Sequence, residues 1–227
     1  MIWVISDIHG MYDRLLNLIQ KIPENDKIIF LGDYIDRGPD SKLVLDLLFQ
    51  LKDRAIFLKG NHEDMMIDYL ENNGKYLEGI WFRNGGLHTL KSFNNNVEDK
   101  YIDFLKSLKL YHIEEIEGVK YLFVHAGVRY GITLEDQSER DLLWIRSEFY
   151  MQNYKYDDYI VIHGHTPTSY ISGEYNVYFH MMNNIYNTNN IKDELDNLIS
   201  IDIDTGCVYG GKLTAFGIGK NYRILYG

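Results

Sequence analysis

The first 73 residues repeat one pattern: a short apolar run, a turn rich in Gly, Asp and His, and then an amphipathic helical stretch. Such alternation predicts strand–loop–helix units and a sheet that is at least partly parallel. The pattern predicts strands at 2–5, 27–31 and 55–58 and helices at 11–21, 41–51 and 62–70. On the second of these helices, the spacing predicts a buried apolar face made of Leu43, Val44, Leu47, Leu48 and Leu51.

The second half of the chain has a different pattern, with more strands and fewer helices. Residues 75–109 are predicted to be helical with a break at 84–86, and 138–149 to form one helix. Residues 111–116 and 119–124 are predicted strands joined by the hairpin signal Glu117-Gly118. Four more strands are expected, at 159–162, 198–203, 211–217 and 222–226.

Together these elements predict an α/β (α+β mixed) fold in which a strand-rich second sheet stacks on the first, giving a two-sheet β-sandwich flanked by helices. A length of 227 residues suits one domain, so 1–227 is read as a single unit. Residues 181–197 have weak apolar periodicity and are predicted to form a mobile lid.

Composition excludes several classes of partner. The net charge is −10, whereas binding to extended nucleic acid needs a basic face, so no such partner is expected. No run approaches the roughly 18 apolar residues of a membrane span, and no membrane partner is expected. The N-terminal residues do not resemble a signal peptide, and the single cysteine, Cys207, suits a reducing compartment, so the predicted location is cytoplasmic.

Chemically reactive side chains follow almost every predicted strand. They are Asp7, His9, Asp33, Asp36, Asn61, His62, His125, His163 and His165. Because the carboxyl ends of strands in an α/β sheet line one crevice, these residues are expected to converge. Mixed nitrogen and oxygen donors suit Mn, Fe or Zn better than Mg or Ca. Two cations about 3.5–4 Å apart need a shared anionic ligand, and Asp33 is the candidate for that bridge.

Five segments in this order resemble the phosphoprotein phosphatase branch of the calcineurin-like metallophosphoesterases. They are Asp7-Ile8-His9-Gly10, Gly32-Asp33-Tyr34-Ile35-Asp36-Arg37-Gly38, Gly60-Asn61-His62-Glu63, His125-Ala126-Gly127 and Gly164-His165-Thr166-Pro167. The chain looks similar to the small bacterial and phage members, such as the lambda phage protein phosphatase. The resemblance covers residues 2 to about 218 and implies the calcineurin-like metallophosphoesterase fold.

The resemblance also implies a role for each matching residue. Asp7 and His9 would hold one metal ion, Asp33 would bridge, and Asn61, His125 and His165 would hold the second, with Mn expected and Fe or Zn as alternatives. His62 would donate a proton to the leaving group, with Asp36 orienting its ring. Arg37, Asn61 and Arg146 would bind the phosphoryl group. The nucleophile would be a metal-bound hydroxide attacking in line.

Three functions remain open at this point. The expected activity is hydrolysis of phosphate monoesters, on phosphoserine or phosphothreonine in proteins or on a small phosphorylated molecule. The alternative is a dinucleoside polyphosphate hydrolase of the diadenosine tetraphosphate type, whose relatives share every metal motif. A non-enzymatic scaffold would lack at least one ligand, and none is missing. Residues 74–100, 128–146 and 170–197, which would line the cleft, carry the distinction.

Some residues have a second interpretation. Asn84-Gly85-Gly86 resembles a segment near the substrate cleft of the phage-type enzymes, but it equally suits a helix end. Arg146 could lie on a solvated helix face. His163 does not match the position of a metal ligand in the resembling family, so it is expected to pack in the core or to contact a ligand residue from outside. His180 is expected to be a surface or hydrogen-bonded histidine.

Overall fold

The computed structural model describes residues 1–71, 78–182 and 194–227. Its first sheet has the strand order β10-β9-β1-β2-β3, formed by Arg223–Tyr226, Thr214–Ile218, Ile2–Ile5, Lys27–Phe30 and Ala55–Phe57. The strands β1, β2 and β3 are parallel, as the repeated pattern predicts, and β9 pairs antiparallel with β1. Most of the predicted lid, residues 183–193, lies outside the described residues.

The second sheet has the order β4-β5-β6-β8-β7, formed by Tyr111–Ile116, Val119–Val124, Ile160–His163, Leu198–Asp202 and Tyr178–Met181. The hairpin β4–β5 is antiparallel, whereas β5, β6 and β8 are parallel. Apolar side chains of both sheets fill the layer between them, among them Val4, Ile29, Leu58, Phe123, Ile162, Ile201 and Phe216. The predicted two-sheet sandwich is therefore confirmed.

Helices cover the outer faces of both sheets. Against the first sheet lie α1 (Tyr12–Ile19), α2 (Ser41–Gln50), α3 (Asn61–Glu71), α4 (Glu78–Arg83), α5 (Gly86–Ser92) and α6 (Asp99–Lys106). Against the second lie α7 (Glu139–Trp144) and α8 (Ser147–Tyr150), and α9 (Thr168–Ser172) follows β6. No helix among the described residues is long and apolar enough to cross a membrane.

The structure corrects four details of the sequence prediction. Strands β9 and β10 belong to the first sheet, because β9 pairs with β1 rather than with the second-half strands. Strand β7 was not expected. The predicted helix 138–149 breaks at Ile145, where ψ is 143°. On α2, Leu43 is 45% exposed and Leu45 is buried, whereas Val44, Leu47, Leu48 and Leu51 are buried as predicted.

Candidate metal centre

The five ligand segments meet at one end of the sandwich. Strands β1, β2 and β3 of the first sheet and β5 and β6 of the second all run toward this end, and each segment begins within a few residues of its strand's last residue. The side chains that converge there are all buried: Asp7, His9, Asp33, Asp36, Asn61, His62, His125 and His165. The convergence predicted from the strand ends is what the structure contains.

Asp33 lies at the centre of this cluster. Its Oδ2 is 3.6 Å from Nε2 of His9 and 3.8 Å from Nε2 of His62. Its Oδ1 is 3.4 Å from Nε2 of His125 and accepts a hydrogen bond from the backbone N–H of His62 at 3.1 Å. One carboxylate thus faces imidazoles on both sides, the arrangement that a ligand shared by two cations requires.

Two imidazoles are held so that Nε2 faces the centre. His9 donates from Nδ1 to the carbonyl of Ile35 at 3.0 Å, and His125 donates from Nδ1 to the carbonyl of Leu31 at 2.9 Å. A carbonyl partner places the proton on Nδ1, so Nε2 keeps its lone pair free for a metal ion. The carbonyl contacts therefore preset both rings as ligands.

The remaining donors complete two groups that share Asp33. On one side, Oδ1 of Asp7 is 3.9 Å from Nε2 of His9. On the other, Nε2 of His125 is 2.9 Å from Oδ1 of Asn61 and 3.2 Å from Nδ1 of His165. Asp7 also joins the two halves, since its Oδ2 accepts the backbone N–H of His165 at 3.0 Å.

Two sets of side chains in the described residues could hold a cation: His9, Asp33 and His62 in one set, and Asp33, His125 and His165 in the other. The Nε2 atoms of His62 and His165 are buried without a hydrogen-bond partner in the described chain. Orphaned, buried nitrogen atoms next to a buried carboxylate fit a missing cation. The two buried groups are consistent with a dimetal centre, and the donors fit Mn, Fe or Zn.

The protonation equilibria agree with that fit. Burial lowers the pKa of His9, His62 and His165 well below the usual value, and it lowers the pKa of His125 to about 4. These rings are therefore neutral at pH 7, as metal ligation requires. Burial, and then repulsion by Asp7 and Glu63, raises the pKa of Asp33 well above its usual range. A bound cation would reverse that effect by stabilising the carboxylate.

Left-handed backbone conformations are concentrated in the ligand loops. Six residues of the site other than glycine have positive φ, at 52°, 47°, 55°, 72°, 67° and 67° for Asp7, His9, Asp33, Asp36, Arg37 and His165 respectively. Such conformations cost of order 1–3 kcal/mol each and persist where surrounding structure imposes them. Gly60 has no room for a Cβ because the Asp33 carboxylate and backbone occupy that space. Packing of these loops around the candidate ligands therefore imposes local backbone strain.

Asp36 and His62 form a buried pair at the edge of the centre. Nδ1 of His62 donates to Oδ2 of Asp36 at 2.6 Å. Two more donors hold the carboxylate, Nε1 of Trp81 at 2.8 Å and Oγ1 of Thr89 at 2.6 Å. Burial raises the pKa of Asp36 to about 7, and the bonds from Thr89 and Trp81 oppose that rise. Nε2 of His62 is thereby aimed at the centre from a fixed ring.

The two arginines contact different metal groups. Nη1 of Arg37 contacts Nε2 of His9, so Arg37 sits directly beside the metal groups. Nη1 of Arg146 donates to the carbonyl of His165 and to Oγ1 of Thr166, each at 3.0 Å. Arg146 is exposed and lies at the break between α7 and α8, which removes it from the solvated helix face considered above.

A cleft of about 1130 Å³ extends from Arg146 between α7, α8 and the ends of α3 and α4. Its walls include Asp64, Ile80, Arg140 and Trp144. Most of its lining comes from residues 138–148, which overlap the segment 128–146 expected from the sequence to line the cleft.

Asn84-Gly85-Gly86 ends α4 and also contacts Arg37. Gly85 has φ 101°, and its carbonyl accepts the backbone N–H of Arg37 at 3.4 Å. A Cβ on Gly85 would clash with the Arg37 backbone. Both interpretations of this segment therefore apply, since the helix end is also the support of a site arginine.

Sequence reasoning missed the role of Glu63. Its buried carboxylate accepts three backbone N–H groups, from Asp33 at 2.8 Å, Tyr34 at 2.8 Å and Gly60 at 2.9 Å. Burial raises the pKa of Glu63 to about 7, and these three bonds oppose the rise. The available signal was an acidic side chain in the first turn of α3, where the helix dipole favours negative charge.

Two other histidines lie outside both metal groups. His163 is buried with its ring edge-on to Phe149, at 5.0 Å between ring centroids, which agrees with the packing role expected for it. His180 is only 7% exposed, and its Nδ1 has no hydrogen-bond partner among the described residues. The expectation of a surface or hydrogen-bonded His180 is therefore wrong at Nδ1.

Comparison with known proteins agrees with this geometry. A family model described as calcineurin-like phosphoesterase matches residues 1–181. The bis(5'-nucleosyl)-tetraphosphatase PrpE (asymmetrical) of Oceanobacillus iheyensis is 29% identical over 243 residues, covering 94% of this chain and 86% of that protein. Serine/threonine-protein phosphatase 2 of Escherichia coli K12 is 34% identical over 154 residues, covering 63% of this chain and 66% of that protein.

A solved structure supports the fold over the whole length. The crystal structure of a provisionally assigned diadenosine tetraphosphatase superposes with a TM-score of 0.66 at 21% identity. The match covers 100% of this chain and 93% of that one. At this identity the likeness concerns the architecture, namely the two stacked sheets and their flanking helices.

Proposed function

The chain belongs to the calcineurin-like phosphoesterase family, and from this membership and the site we propose that it is a metal-dependent hydrolase of dinucleoside polyphosphates. The observation that carries the proposal is the extent of the similarity to a bis(5'-nucleosyl)-tetraphosphatase, which covers 94% of this chain. All members of such families share the ligand loops, so substrate choice depends on the cleft walls. Similarity that continues through those walls favours the alternative over the phosphoprotein substrate expected from the motifs.

The metal roles follow the two groups around Asp33. Asp7 and His9 would hold one cation, Asn61, His125 and His165 would hold the other, and Asp33 would be shared by both. Bound cations, with Mn, Fe and Zn as candidates, would supply Lewis-acid activation of water and neutralise phosphate charge. His62 also lies within one of the candidate groups. Its Nδ1 is engaged by Asp36, which leaves Nε2 as the atom that faces substrate.

The protein's own residues would then bind and protonate the substrate. Arg37 and Arg146, which contact different metal groups, would each donate to phosphate oxygens, and Asn61 would add an amide donor. His62, once protonated on both nitrogens beside the bound phosphate and the Asp36 carboxylate, would deliver a proton from Nε2 to the leaving oxygen, while Asp36 keeps the ring oriented through Nδ1. For a dinucleoside polyphosphate, that leaving oxygen belongs to the rest of the phosphate chain.

A phosphoserine or phosphothreonine phosphatase is the second candidate. It is favoured by the 34% identity to serine/threonine-protein phosphatase 2 of Escherichia coli. This identity exceeds the 29% to the tetraphosphatase, although the match covers only 63% of this chain. The same metal groups, His62 and both arginines would serve that reaction. The candidates therefore differ in what the cleft beyond the arginines recognises.

The deciding experiment compares kcat/KM for diadenosine tetraphosphate and for a phosphothreonine peptide, both with added Mn²⁺. The proposal expects the dinucleotide to be preferred by at least about 100-fold, a difference of about 2.8 kcal/mol in transition-state binding. A preference for the peptide of that size would replace the proposal by the second candidate.

Two variants test the assigned roles. His62→Asn should lower kcat by about 10²–10⁴-fold, the range for a general acid, while bound metal measured by atomic emission stays unchanged. Asp33→Asn should lose metal and activity together. Loss of both metals in His62→Asn would make His62 a ligand, and full metal occupancy in Asp33→Asn would contradict the bridge.

A further inference from the structure

Three exposed tyrosines lie together beside the metal centre, and the hydrolytic roles described above use none of them. Tyr170 is 72% exposed, Tyr209 47% and Tyr175 38%. Tyr170 belongs to α9, which directly follows the His165 loop, and Tyr209 ends a 3-10 helix, Cys207–Tyr209, that follows β8. We call these three side chains the tyrosine surface. Tyr170 follows β6 and Tyr209 follows β8, the parallel neighbour of β6, so both lie at the sheet edge that carries the candidate ligands.

Arg37 connects the tyrosine surface to the metal centre. Its guanidinium carbon lies 5.3 Å from the centroid of the Tyr209 ring, while Nη1 contacts His9. Burial raises the pKa of Tyr209, Arg37 opposes this, and the neighbouring Tyr170 phenol adds to the rise. Tyr209 therefore interacts electrostatically with both Arg37 and Tyr170. A phosphate bound by Arg37 would lie about the length of one sugar unit from the Tyr209 ring.

The turn that carries Tyr209 also packs against the ring of Tyr175. Gly206 and Gly210 have φ of 68° and 90° and flank the 3-10 helix on either side. The ring of Tyr175 occupies the space that a Cβ on Gly206 or Gly211 would need, so it lies flat against this turn. Oγ1 of Thr205 donates to the carbonyl of Lys212 at 2.6 Å and closes the loop. The surface is thus preorganised rather than assembled by the ligand.

We propose that the tyrosine surface is the nucleobase-binding subsite of this enzyme, in which a purine stacks on Tyr209 while Arg37 binds the adjacent phosphate. The proposal rests on the proposed function, which supplies a substrate with a base next to each end of the phosphate chain. Aromatic rings bind bases through their π faces without reading sequence, and arginine adds a cation–π contribution. Tyr170 and Tyr175 would border the stacked base.

The test uses two ligands that differ only in the base, AMP and ribose 5-phosphate. Their inhibition constants are measured against hydrolysis of p-nitrophenyl phosphate with added Mn²⁺. The wild type should bind AMP about 5- to 150-fold more tightly, the range that corresponds to one base-stacking ring. Tyr209→Ala should bring that ratio close to one, whereas Tyr209→Phe should keep it.

Tyr154→Ala is the matched control, because Tyr154 is 54% exposed and packs on Tyr130 away from the site. It should keep the wild-type ratio. Equal inhibition of the wild type by both ligands would overturn the proposal, as would an unchanged ratio in Tyr209→Ala. If Tyr209→Ala fails to fold, the wild-type ratio and Tyr170→Ala still decide.

The same measurements separate this proposal from the function it rests on. A wild type that prefers AMP but does not cleave diadenosine tetraphosphate would retain the subsite and overturn the proposed substrate. A wild type that cleaves diadenosine tetraphosphate but is inhibited equally by AMP and ribose 5-phosphate would retain the proposed substrate and overturn the subsite.

Discussion

Replacing Glu63 by glutamine tests whether one buried carboxylate joins two of the ligand loops. Oε2 of Glu63 accepts the N–H groups of Asp33 and Gly60, and Oε1 accepts that of Tyr34. Glutamine has one carbonyl oxygen, which can keep the first two bonds. Its NH₂ group then faces the Tyr34 N–H, donor against donor. The substitution changes only one group of the side chain, so packing volume is preserved.

The expected loss follows from these contacts. An orphaned buried N–H costs about 1–3 kcal/mol, and each of the two remaining bonds weakens by about 1 kcal/mol when its acceptor loses its charge. Relief of the buried charge offsets part of the sum. The net change in the free energy of unfolding is about 2–4 kcal/mol, which for a chain of this size lowers Tm by roughly 5–15 °C. Since Asp33 and Gly60 shift together, metal affinity should fall as well.

Thermal and urea unfolding with a chelator measure the change in the free energy of unfolding. Calorimetric titration with Mn²⁺ measures the change in metal affinity. Glu115→Gln is the matched control, because Glu115 is exposed on β4 and its variant should stay within about 0.5 kcal/mol of the wild type. If Glu63→Gln also unfolds within that margin and binds Mn²⁺ normally, the three backbone bonds do not hold the loops and this reasoning fails.

Three further predictions, which use four substitutions, have defined outcomes. Gly60→Ala should abolish metal binding because its Cβ would meet the central aspartate, whereas Gly79→Ala, with open space around it, should keep metal and gain up to about 1 kcal/mol as a helical alanine; equal metal content in both would contradict the clash. Trp81→Phe leaves the Asp36 carboxylate short of one donor, so it should lower the free energy of unfolding by about 2 kcal/mol and reduce kcat; a variant with unchanged stability and kcat would refute the role. Burial lowers the pKa of His180 in the folded chain. Below about pH 6.5 the unfolded chain therefore binds a proton at this ring that the folded chain does not. As the pH is lowered, the free energy of unfolding decreases through this ring by at most about 1.4 kcal/mol per pH unit. His180→Gln should therefore show a shallower loss in urea unfolding between about pH 7.5 and 5.5, and identical slopes would show that His180 titrates alike in both states.

The ligand residues could be found from sequence because they depend on local order. A residue that follows a strand of a parallel sheet lies at the sheet's carboxyl edge wherever that strand is placed. Asp7, Asp33 and His165 needed no knowledge of strand neighbours. The same holds for the hairpin β4–β5, whose turn and pairing are close in sequence.

Strand partners and side-chain contacts across the fold could not be found in this way. Residues 214–218 read equally well as a strand of either sheet, and only pairing with β1 assigns β9 to the first. Trp81 and Thr89 reach Asp36 from α4 and α5, which are separated from it by 45 and 53 positions. No local pattern encodes such distances, because they depend on how the helices pack.

The sequence by itself therefore determined the candidate metal donors of this protein, their order and the edge of the sheet where they meet, all of which follow from strand direction and residue type. Tertiary structure alone decided what surrounds that chemistry. The Glu63 carboxylate that joins two loops and the tyrosine surface beside Arg37 arise where distant segments touch. Local propensity carries no information about those contacts, since packing and hydrogen bonding across the fold select them.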